Sequence, residues 1–317
     1  MKYRLFSIIA LTGIIAALIT GCAPKTQQIL LLKIAVIPVL DTMPLYVAQQ
    51  EGLFEKNGVQ VELIPVASGP ERDQLIAAGE ADGMINEIVS VMFFNKETPT
   101  VQAVRYARAA TSGSPLFRIL AGKDSGIASL ADLKGVPIGV SDGTVIAYLT
   151  DRLLQAEGFA PGEIQTVSVP SITDRVALLG NGQLQAATLP DPLASLQMQQ
   201  GAADILDDTT HPEYSFSVYS FRKAIIDENP QAVKGFLKAI EEAVALINQN
   251  GNQYRPLMIE QKLLPPPLAE SFDVPQFITA GVPSEAQFAD ALAWAQEKGL
   301  LTVDVQYADC VNAGLLP

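Results

Sequence analysis

The chain has 317 residues, which is longer than one minimal domain and fits two domains of ordinary size. Hydrophobic residues make up 49% and charged residues 17%, so the chain can bury a core, and its net charge of −13 excludes the basic footprint of a nucleic-acid binder. Two cysteines and one histidine exclude a zinc cluster and a multi-histidine metal site, so we expect neither a metal nor a cofactor.

The N-terminus has the order of a secretory signal. Lys2 and Arg4 precede an apolar run over residues 5–18, and Ile-Thr-Gly-Cys follows at 19–22. The run is too short for a spanning helix and ends in small residues. A cysteine in this position resembles the bacterial lipobox, which implies cleavage before Cys22 and lipid (palmitate) on its sulfur. The alternative interpretation is an ordinary N-terminal anchor with an incidental cysteine.

Strands and helices are predicted in alternation along most of the chain. Apolar runs and period-two alternation predict strands over residues 33–39, 59–66, 82–85, 101–108, 136–140, 164–169, 185–189 and 215–221. Helices are predicted over 45–50, 128–133, 144–157, 230–248, 253–263 and 284–298. Strands that alternate with helices predict an α/β fold with mainly parallel sheets and crossover helices.

An internal repeat joins two parts of this pattern at an offset of 103 residues. Its identities are Ser68 with Ser171, Arg72 with Arg175, Leu75 with Leu178, and Gly79 with Gly182. In both copies a strand leads into the serine, which is placed to cap a helix, and a glycine and a second short strand follow. The repeat predicts two similar α/β lobes. We expect Arg72 and Arg175 to form salt bridges on solvated helix faces.

The chain is expected to cross between the two lobes twice, which makes a two-stranded hinge that permits closure around a ligand. The predicted divisions are a signal peptide over 1–21, a lipidated tether over 22–32, a first lobe over 33–118 together with 215–317, and a second lobe over 119–214.

Five short motifs resemble the substrate-binding proteins of ABC importers. They are PLYVAQQEGLF at 44–54, GEADG at 79–83, DLKG at 132–135, LPDP at 189–192 and NP at 229–230. The resemblance covers about residues 33–317 and concerns the subgroup for nitrate, sulfonates and thiamine-pyrimidine precursors. It implies a type II periplasmic-binding-protein fold with two lobes, a central cleft, and delivery of the ligand to a membrane permease.

The ligand site is expected beyond the carboxyl ends of the strands, where helix N-termini offer free N–H groups. The loops at those ends also match the resemblance. The candidate ligand-binding residues are Tyr46, Ser68, Asn86, Glu87, Ser141, Gly143, Thr144 and Asp191.

Several of these residues have a structural alternative. Ser68 and Thr144 suit simple helix caps, and Tyr46 suits a partly buried core aromatic. Glu87 and Asp191 could be solvated caps. An anionic ligand could pair with one of three arginines near the lobe crossing, which are Arg105, Arg108 and Arg118.

An enzyme is the competing interpretation. The sequence GVSDG at 139–143 fits G-x-S-x-G between a predicted strand and helix, and His211 follows in the chain order of a hydrolase. However, no His-Gly-Gly stretch supplies an oxyanion loop, and His211 lies in a hydrophilic turn. A serine hydrolase that uses Ser141 and His211 is therefore the alternative, and we expect no catalytic residue.

The sequence thus predicts an extracytoplasmic solute-binding lipoprotein that is anchored to the cell membrane by lipid alone. Its partners would be a small-molecule ligand and an ABC permease, and the protein would be a monomer. A thiamine-pyrimidine-like heterocycle is the favoured ligand, because Tyr46, Asn86, Glu87 and Asp191 suit a polar ring that bears amino groups. A nitrate- or sulfonate-type anion comes next.

Overall fold

The computed structural model describes residues 30–317, so the predicted signal peptide, Cys22 and the tether up to residue 29 lie outside the described residues. Leu31–Pro317 form one compact unit. In this part of the chain no helix is long and apolar enough to cross a membrane. The first strand begins at Leu30, slightly before its predicted start at residue 33.

The described residues contain two five-stranded sheets. The first sheet has the strand order β2-β1-β3-β10-β4 and the second has the order β7-β6-β8-β5-β9. The strands are β1 (Leu30–Val36), β2 (Val59–Pro65), β3 (Gly83–Asn86), β4 (Val101–Ala109), β5 (Phe117–Ala121), β6 (Pro137–Val140), β7 (Gln165–Ser168), β8 (Ala186–Pro190), β9 (Ala203–Asp207) and β10 (Phe216–Arg222).

Helices flank both sheets. The α-helices are α1 (Met43–Gln50), α2 (Leu53–Lys56), α3 (Gly69–Ala78), α4 (Ile88–Phe94), α5 (Val145–Ala156), α6 (Ile172–Gly180), α7 (Leu193–Gln199), α8 (Lys223–Glu228), α9 (Pro230–Asn250), α10 (Arg255–Glu260), α11 (Glu285–Glu297) and α12 (Tyr307–Cys310). Short 3-10 helices cover Leu40–Thr42, Leu130–Leu133, Pro161–Glu163, Pro212–Tyr214, Gly251–Tyr254, Pro266–Leu268 and Ala313–Leu315.

Each sheet combines parallel and antiparallel pairs. In the first sheet β1 is parallel to β3, whereas β10 is antiparallel to β3 and β4. In the second sheet β6 is parallel to β7 and β8, whereas β5 is antiparallel to β8 and β9. The antiparallel strands β5 and β10 enter from the other sheet, so a crossover helix does not fix their direction. The predicted α/β class is confirmed, with both sheets mixed.

The chain changes sheet twice. It leaves the first sheet between Ala109 and Phe117 and returns between Asp207 and Phe216. The predicted lobe boundary at residues 118 and 119 falls inside β5, a strand that the sequence pattern did not reveal. The division into lobes by residue number stays a prediction.

Asp208 ties the two crossings together. Its Oδ1 accepts a hydrogen bond from the Leu116 N–H at 3.0 Å, and its Oδ2 accepts one from the Phe117 N–H at 2.9 Å. Burial raises the pKa of this carboxyl group to about 6, although both backbone hydrogen bonds oppose the shift. The segment that returns to the first sheet is thus held against the segment that leaves it.

The two repeat helices start and stop in the same way. The side chains of Ser68 and Ser171 accept hydrogen bonds from the backbone N–H three residues later, at 3.4 and 3.2 Å. The chain then turns at Gly79 and Gly182, whose φ angles of 73° and 78° favour glycine. The repeated residues therefore fix the local geometry of both copies.

The C-terminal helices support elements of both sheets. Phe236 of α9 stacks on Phe54 of α2 with ring centroids 5.5 Å apart. On the other side, Trp294 of α11 donates its indole N–H to the buried Asp151 carboxylate of α5 at 2.7 Å. The helix α5 follows a strand of the second sheet, so α11 fixes it to the C-terminal part of the chain.

Candidate functional site

A cavity of about 90 Å³ lies where strands of both sheets end. Its walls come from the loops after β1 and β6, the ends of β3 and β8, and the first turns of α3, α5 and α6. The first residues of β5 and β10, which enter from the two crossings, complete the lining. This is the position at which ligands of α/β sheets bind.

Five of the eight predicted ligand-binding residues line the cavity. They are Ser68, Asn86, Glu87, Ser141 and Thr144. The serine and threonine at the helix starts are also caps, since Thr144 Oγ1 accepts the Ile146 N–H at 3.2 Å and donates to the Ser141 carbonyl at 2.8 Å. Ser68 and Thr144 therefore cap their helices and also line the cavity. Contact between these residues and a ligand stays a prediction.

The other three predicted residues lie outside the cavity lining. Tyr46 is half-buried in α1, and Gly143 forms the turn before α5 with φ 67°. Asp191 caps α7, because its Oδ1 accepts the Ser195 N–H at 3.0 Å, and its Oδ2 accepts Arg118 Nε at 3.1 Å. The positions of Tyr46 and Asp191 agree with the structural alternatives of a partly buried aromatic and a cap, except that Asp191 is buried rather than solvated. Contact of these three residues with a ligand stays a prediction.

Arg72 is a cavity residue that the sequence interpretation placed wrongly. It is 3% exposed rather than on a solvated face. Its Nη1 and Nη2 lie 3.2 and 3.4 Å from the two carboxylate oxygens of Glu87, and its Nε donates to Asp73 at 2.8 Å. The salt bridge exists, but it is buried and forms part of the cavity wall. The sequence feature that could have indicated a place in the cavity wall is the position of Arg72 one turn after the Ser68 cap.

Burial governs the ionisation of this pair. Burial raises the pKa of Glu87, and the Arg72 guanidinium opposes that shift. For Arg72, burial alone would lower the pKa, but the carboxylates of Glu87 and Asp73 raise it overall. The guanidinium is thus neutralised by protein carboxylates, which leaves Glu87 lone pairs to accept hydrogen bonds from a ligand.

Asn86 belongs to a buried polar network that continues from this pair. Its Oδ1 accepts the Ser220 hydroxyl at 2.6 Å, and its Nδ2 donates to Ser90 Oγ at 3.2 Å. Ser90 Oγ in turn donates to the second oxygen of Asp73 at 3.1 Å. The side chains at the end of β3 are therefore held in place from behind the cavity.

Sequence reasoning predicted Glu87 but did not single out two phenylalanines and a second acidic residue of the wall. Phe117 and Phe216 line the cavity as the first residues of the two crossing strands. Asp41 also lines it, accepts the Ser217 hydroxyl at 2.6 Å, and lies 3.6 Å from Arg108. We expected Tyr46 to supply the aromatic contact for a ring, whereas Phe117 and Phe216 line the cavity instead. The sequence feature that could have indicated these two residues is their position beside the predicted crossings.

Arg175 is the second arginine that was wrongly placed on a solvated face. It is 0% exposed, and its Nη1 donates to the Val169 carbonyl at 3.0 Å. Its Nε and Nη2 have no hydrogen-bond partner among residues 30–317. Burial lowers the pKa of Arg175 to about 10.

The three arginines near the crossing all contact protein carboxylates. Arg105 donates to Glu241 at 2.6 Å, and Arg108 lies 3.6 Å from Asp41. Arg118 pairs with three carboxylates, which are Asp191, Asp204 and Asp207. None of the three lines the cavity itself. Contact between any of them and an anionic ligand stays a prediction.

The hydrolase interpretation finds no support in this geometry. Ser141 lines the cavity, but His211 lies outside the lining, stacks on Tyr214, and places its Nδ1 3.4 Å from Glu213. No hydrogen bond joins His211 to Ser141 in the described part of the chain. No cluster of three or more metal-ligating side chains occurs in residues 30–317 either.

Comparisons with known proteins agree with the fold. A putative binding protein of Brucella abortus is 27% identical over 217 residues, which cover 65% of this chain and 63% of that protein. A putative thiamine biosynthesis protein of Haemophilus influenzae is 28% identical over 224 residues and 67% of each chain. The MOPS-bound alkanesulfonate-binding protein SsuA from Xanthomonas axonopodis pv. citri superposes with a TM-score of 0.75 and 19% identity, and the match covers 89% of this chain and 98% of that one.

The alignment thus spans less than two thirds of the length of the Brucella relative. The likeness to SsuA shows that the fold is that of a periplasmic binding protein, as the sequence motifs predicted. The family described as "NMT1/THI5 like" matches residues 40–253, more than half of the sequence. The chain therefore belongs to the NMT1/THI5-like family.

Proposed function

We propose that this chain is the extracytoplasmic solute-binding component of an ABC importer. It captures a small polar molecule in the cavity between its sheets and delivers it to a membrane permease. The observation that carries the proposal is the cavity itself, whose wall combines both sheets with the two crossing strands at Phe117 and Phe216. Family membership and relatives that are named as binding proteins support the same function.

The proposed mechanism is capture without chemistry. A ligand that contacts both sheets binds better when the sheets close around it, and this difference in affinity favours the closed form. The two crossings are the segments that can bend during such a closure. One chain carries one ligand in this mechanism, so a monomer is sufficient.

The favoured ligand is a polar heterocycle that bears amino groups. Glu87 can accept hydrogen bonds from ring amines, and Phe117 and Phe216 offer aromatic walls. An anion of the nitrate or sulfonate type comes second. The N-termini of α3, α5 and α6 in the cavity wall favour such an anion. Arg72, however, is already paired with protein carboxylates.

Calorimetry on the purified full-length chain in detergent tests the proposal. The panel holds 4-amino-5-hydroxymethyl-2-methylpyrimidine, thiamine, nitrate and ethanesulfonate, and each compound is recovered afterwards to check that it is unchanged. We expect an aminopyrimidine to bind, and Glu87→Gln to weaken it by more than about tenfold, which is about 1.4 kcal/mol.

A matched control is Glu242→Gln. Glu242 of α9 pairs with Lys56 of α2, and neither residue lines the cavity. The substitution should leave the affinity unchanged. Equal affinity in the Glu87→Gln protein would remove Glu87 from the site. Binding of the anions alone would replace the heterocycle as the ligand class, and a chemically altered compound would contradict capture without chemistry.

We propose further that Cys22 carries the lipid anchor. The positively charged start, the short apolar run and the cysteine after small residues support this assignment. Metabolic labelling with radioactive palmitate should mark the chain in the membrane fraction, and Cys22→Ala should abolish both the label and the membrane association. The second cysteine supplies the control, because Cys310 is buried in α12 and Cys310→Ala should keep the label. A label that survives Cys22→Ala would refute the anchor.

A further inference from the structure

The helix α11 contacts elements of both sheets, although none of its residues lines the cavity. On one side it packs against α4 and α12, and α12 itself packs against β4. Gln287 Oε1 accepts the hydroxyl of Tyr106 in β4 at 2.7 Å, and Phe288 meets the ring of Tyr307 in α12 edge to face with centroids 5.6 Å apart. The helix α11 is thus held against the first sheet.

On its other side α11 is bound to α5, which follows β6 of the second sheet. Asp290 Oδ2 accepts the Tyr148 hydroxyl at 2.7 Å and Arg152 Nε at 3.0 Å. Tyr148 is buried, and the side chain of Arg152 is only 11% exposed. Asp290 therefore receives two hydrogen bonds from α5, and one of them comes from a cation.

A second set of contacts joins the same two helices one turn further along. Asp151 Oδ2, which accepts the indole N–H of Trp294, also lies 2.7 Å from Lys298 Nζ. The ring of Trp294 meets Tyr148 edge to face, with centroids 5.6 Å apart. Hydrogen bonds to charged groups are about twice as strong as neutral ones. The α5–α11 contact therefore depends on charged groups, of which Asp151 is buried.

The first turn of α5 is part of the cavity wall. Thr144, Val145 and Ile146 line the cavity, and the Tyr148 N–H donates to the Thr144 carbonyl at 3.1 Å. The tyrosine that Asp290 binds is therefore one helical turn from the wall. Because a helix is rigid over so short a distance, the position of Tyr148 determines the position of the wall residues.

The two sides of the cavity come into contact in this arrangement. A Cβ atom added at Gly69 of α3 would lie 3.8 Å from Thr144 Cγ2, and one added at Gly143 would lie 3.7 Å from the ring of Phe93 in α4. Helices that flank the first sheet therefore come within van der Waals reach of the start of α5. The α5–α11 contact is thus formed while the cavity is closed.

We propose that Asp290 and Trp294 of α11 are positioning residues for the ligand site, which deepens the proposed function and rests on it. They act through Tyr148 and Asp151 and hold the start of α5 against the first sheet. The α5–α11 contact breaks when the sheets separate, so it stabilises the closed form. Its loss lowers the closed population and weakens the binding of different ligands by the same factor, since it touches none of them.

Double electron–electron resonance tests this proposal on the full chain without any added compound. Nitroxide labels at Gln60→Cys in β2 and Thr166→Cys in β7 report the separation of the sheets, because both residues are exposed on outer strands. Cys22→Ala and Cys310→Ala remove the native thiols. We expect Asp290→Ala to move part of the population to a longer separation than in the chain that keeps Asp290.

The variants are chosen so that the fold persists. Asp290 is a partly exposed helix residue, where alanine favours the helix. Tyr148→Phe removes only the hydroxyl group and should give a smaller change in the same direction. The matched control is Glu242→Ala, because Glu242 of α9 is also a helical carboxylate that pairs with a cation on a neighbouring helix, Lys56 of α2. Both of these helices lie on the side of the first sheet, so the separation should not change.

Calorimetry and stopped-flow kinetics measure the same effect on binding. The compounds are 4-amino-5-hydroxymethyl-2-methylpyrimidine, thiamine, nitrate and ethanesulfonate. For each compound that binds, we expect Asp290→Ala to raise the dissociation constant by about threefold to tenfold, through a faster dissociation. The ratio between the dissociation constants of two compounds should stay the same, whereas loss of a residue that contacts the ligand would change it.

The outcomes separate this inference from the proposed function. Separations that are equal in the original and Asp290→Ala chains, or shorter in Asp290→Ala, would overturn the positioning role and leave capture standing. An equal lengthening in Glu242→Ala would also overturn it, because the change would then follow from a general loss of stability. An absence of binding by all four compounds would contradict the proposed function, and a longer separation in Asp290→Ala would still support the α5–α11 contact.

Discussion

Helices α3 and α6 are the two copies of the internal repeat, and each buries an arginine one turn after its serine cap. Arg72 of α3 meets the carboxylates of Glu87 and Asp73 in the cavity wall. Arg175 of α6 has a backbone carbonyl and no carboxylate among the described residues. At the repeat offset, the position of Glu87 is taken by Pro190, which cannot ionise.

The two copies share their local helix geometry and differ in the charge partners of their buried arginines. The caps, the glycine turns and the burial of the arginine follow from the repeated residues and occur in both copies. The charge partners are Glu87, directly after β3, and Asp73, beside Arg72 on α3; neither is one of the repeated identities, and they occur in only one copy. The scaffold of the two sheets is therefore duplicated, whereas the electrostatics of the site belong to the first copy.

The largest effect is expected from Arg72→Met. Removal of the guanidinium leaves the Glu87 carboxylate buried without its partner, which costs about 3–5 kcal/mol in the free energy of unfolding. Urea denaturation at pH 7, followed by circular dichroism, measures the change. A loss below about 1 kcal/mol would mean that Glu87 is protonated or solvated despite its burial.

The same substitution in the other copy is the matched control. Arg175→Met removes a buried charge whose Nε and Nη2 lack partners in the described chain, so we expect the free energy of unfolding to stay the same or rise by about 1–4 kcal/mol. The lowered pKa gives the sign of the pH effect. The cost of the buried charge is fully present below pH 10 and is relieved as the pH rises above 10. A large decrease in the free energy of unfolding of the Arg175→Met chain would show that the two buried arginines contribute to stability in the same way.

The junction of the two sheets gives an intermediate effect through Asp208. Asp208→Asn leaves one of the two N–H groups, of Leu116 or Phe117, facing an amide NH₂, which costs about 1–3 kcal/mol at pH 7. The carboxyl pKa is about 6 in the folded chain and 3.8 is its ordinary value. Between these values the folded chain binds more protons, so the stability contribution of this group falls as the pH rises and is constant above 6.

Urea titrations between pH 3.5 and 8 measure this contribution as the difference between the original chain and the Asp208→Asn chain. The difference in the free energy of unfolding between the two chains should depend on pH only between 3.8 and about 6. A difference that is independent of pH would show that the pKa of Asp208 is not raised in the folded chain, and the two crossings would then be held by other contacts.

The smallest effects are expected at the caps. Ser68→Ala and Ser171→Ala should each lower the free energy of unfolding by about 1 kcal/mol, because each leaves one helix N–H without its acceptor. Only Ser68 lines the cavity, so only Ser68→Ala should also change the affinity for an aminopyrimidine. Equal affinity changes in the two variants would mean that the copies contribute equally to the site.

Much of the scaffold could be predicted from the sequence because local rules determine it. The serine caps, the turns at Gly79 and Gly182, and the strand patterns carry their own signals. The strand β5 has no such sequence pattern, because its five residues do not alternate between polar and apolar, and its direction depends on a crossing. The site was predicted only in part, because the burial of Arg72 against Glu87 and the pairing of Asp191 with Arg118 depend on partners outside the local sequence pattern.

The topology also has a consequence for the biogenesis of the protein. All five strands of the second sheet lie in one continuous stretch that is complete at Asp207. The first sheet has β10 between β3 and β4, so its hydrogen bonding cannot be completed before Arg222 is available. A chain that is synthesised from its N-terminus can therefore assemble its second sheet earlier than its first. The cavity, which needs Phe216 of β10, is completed only after that.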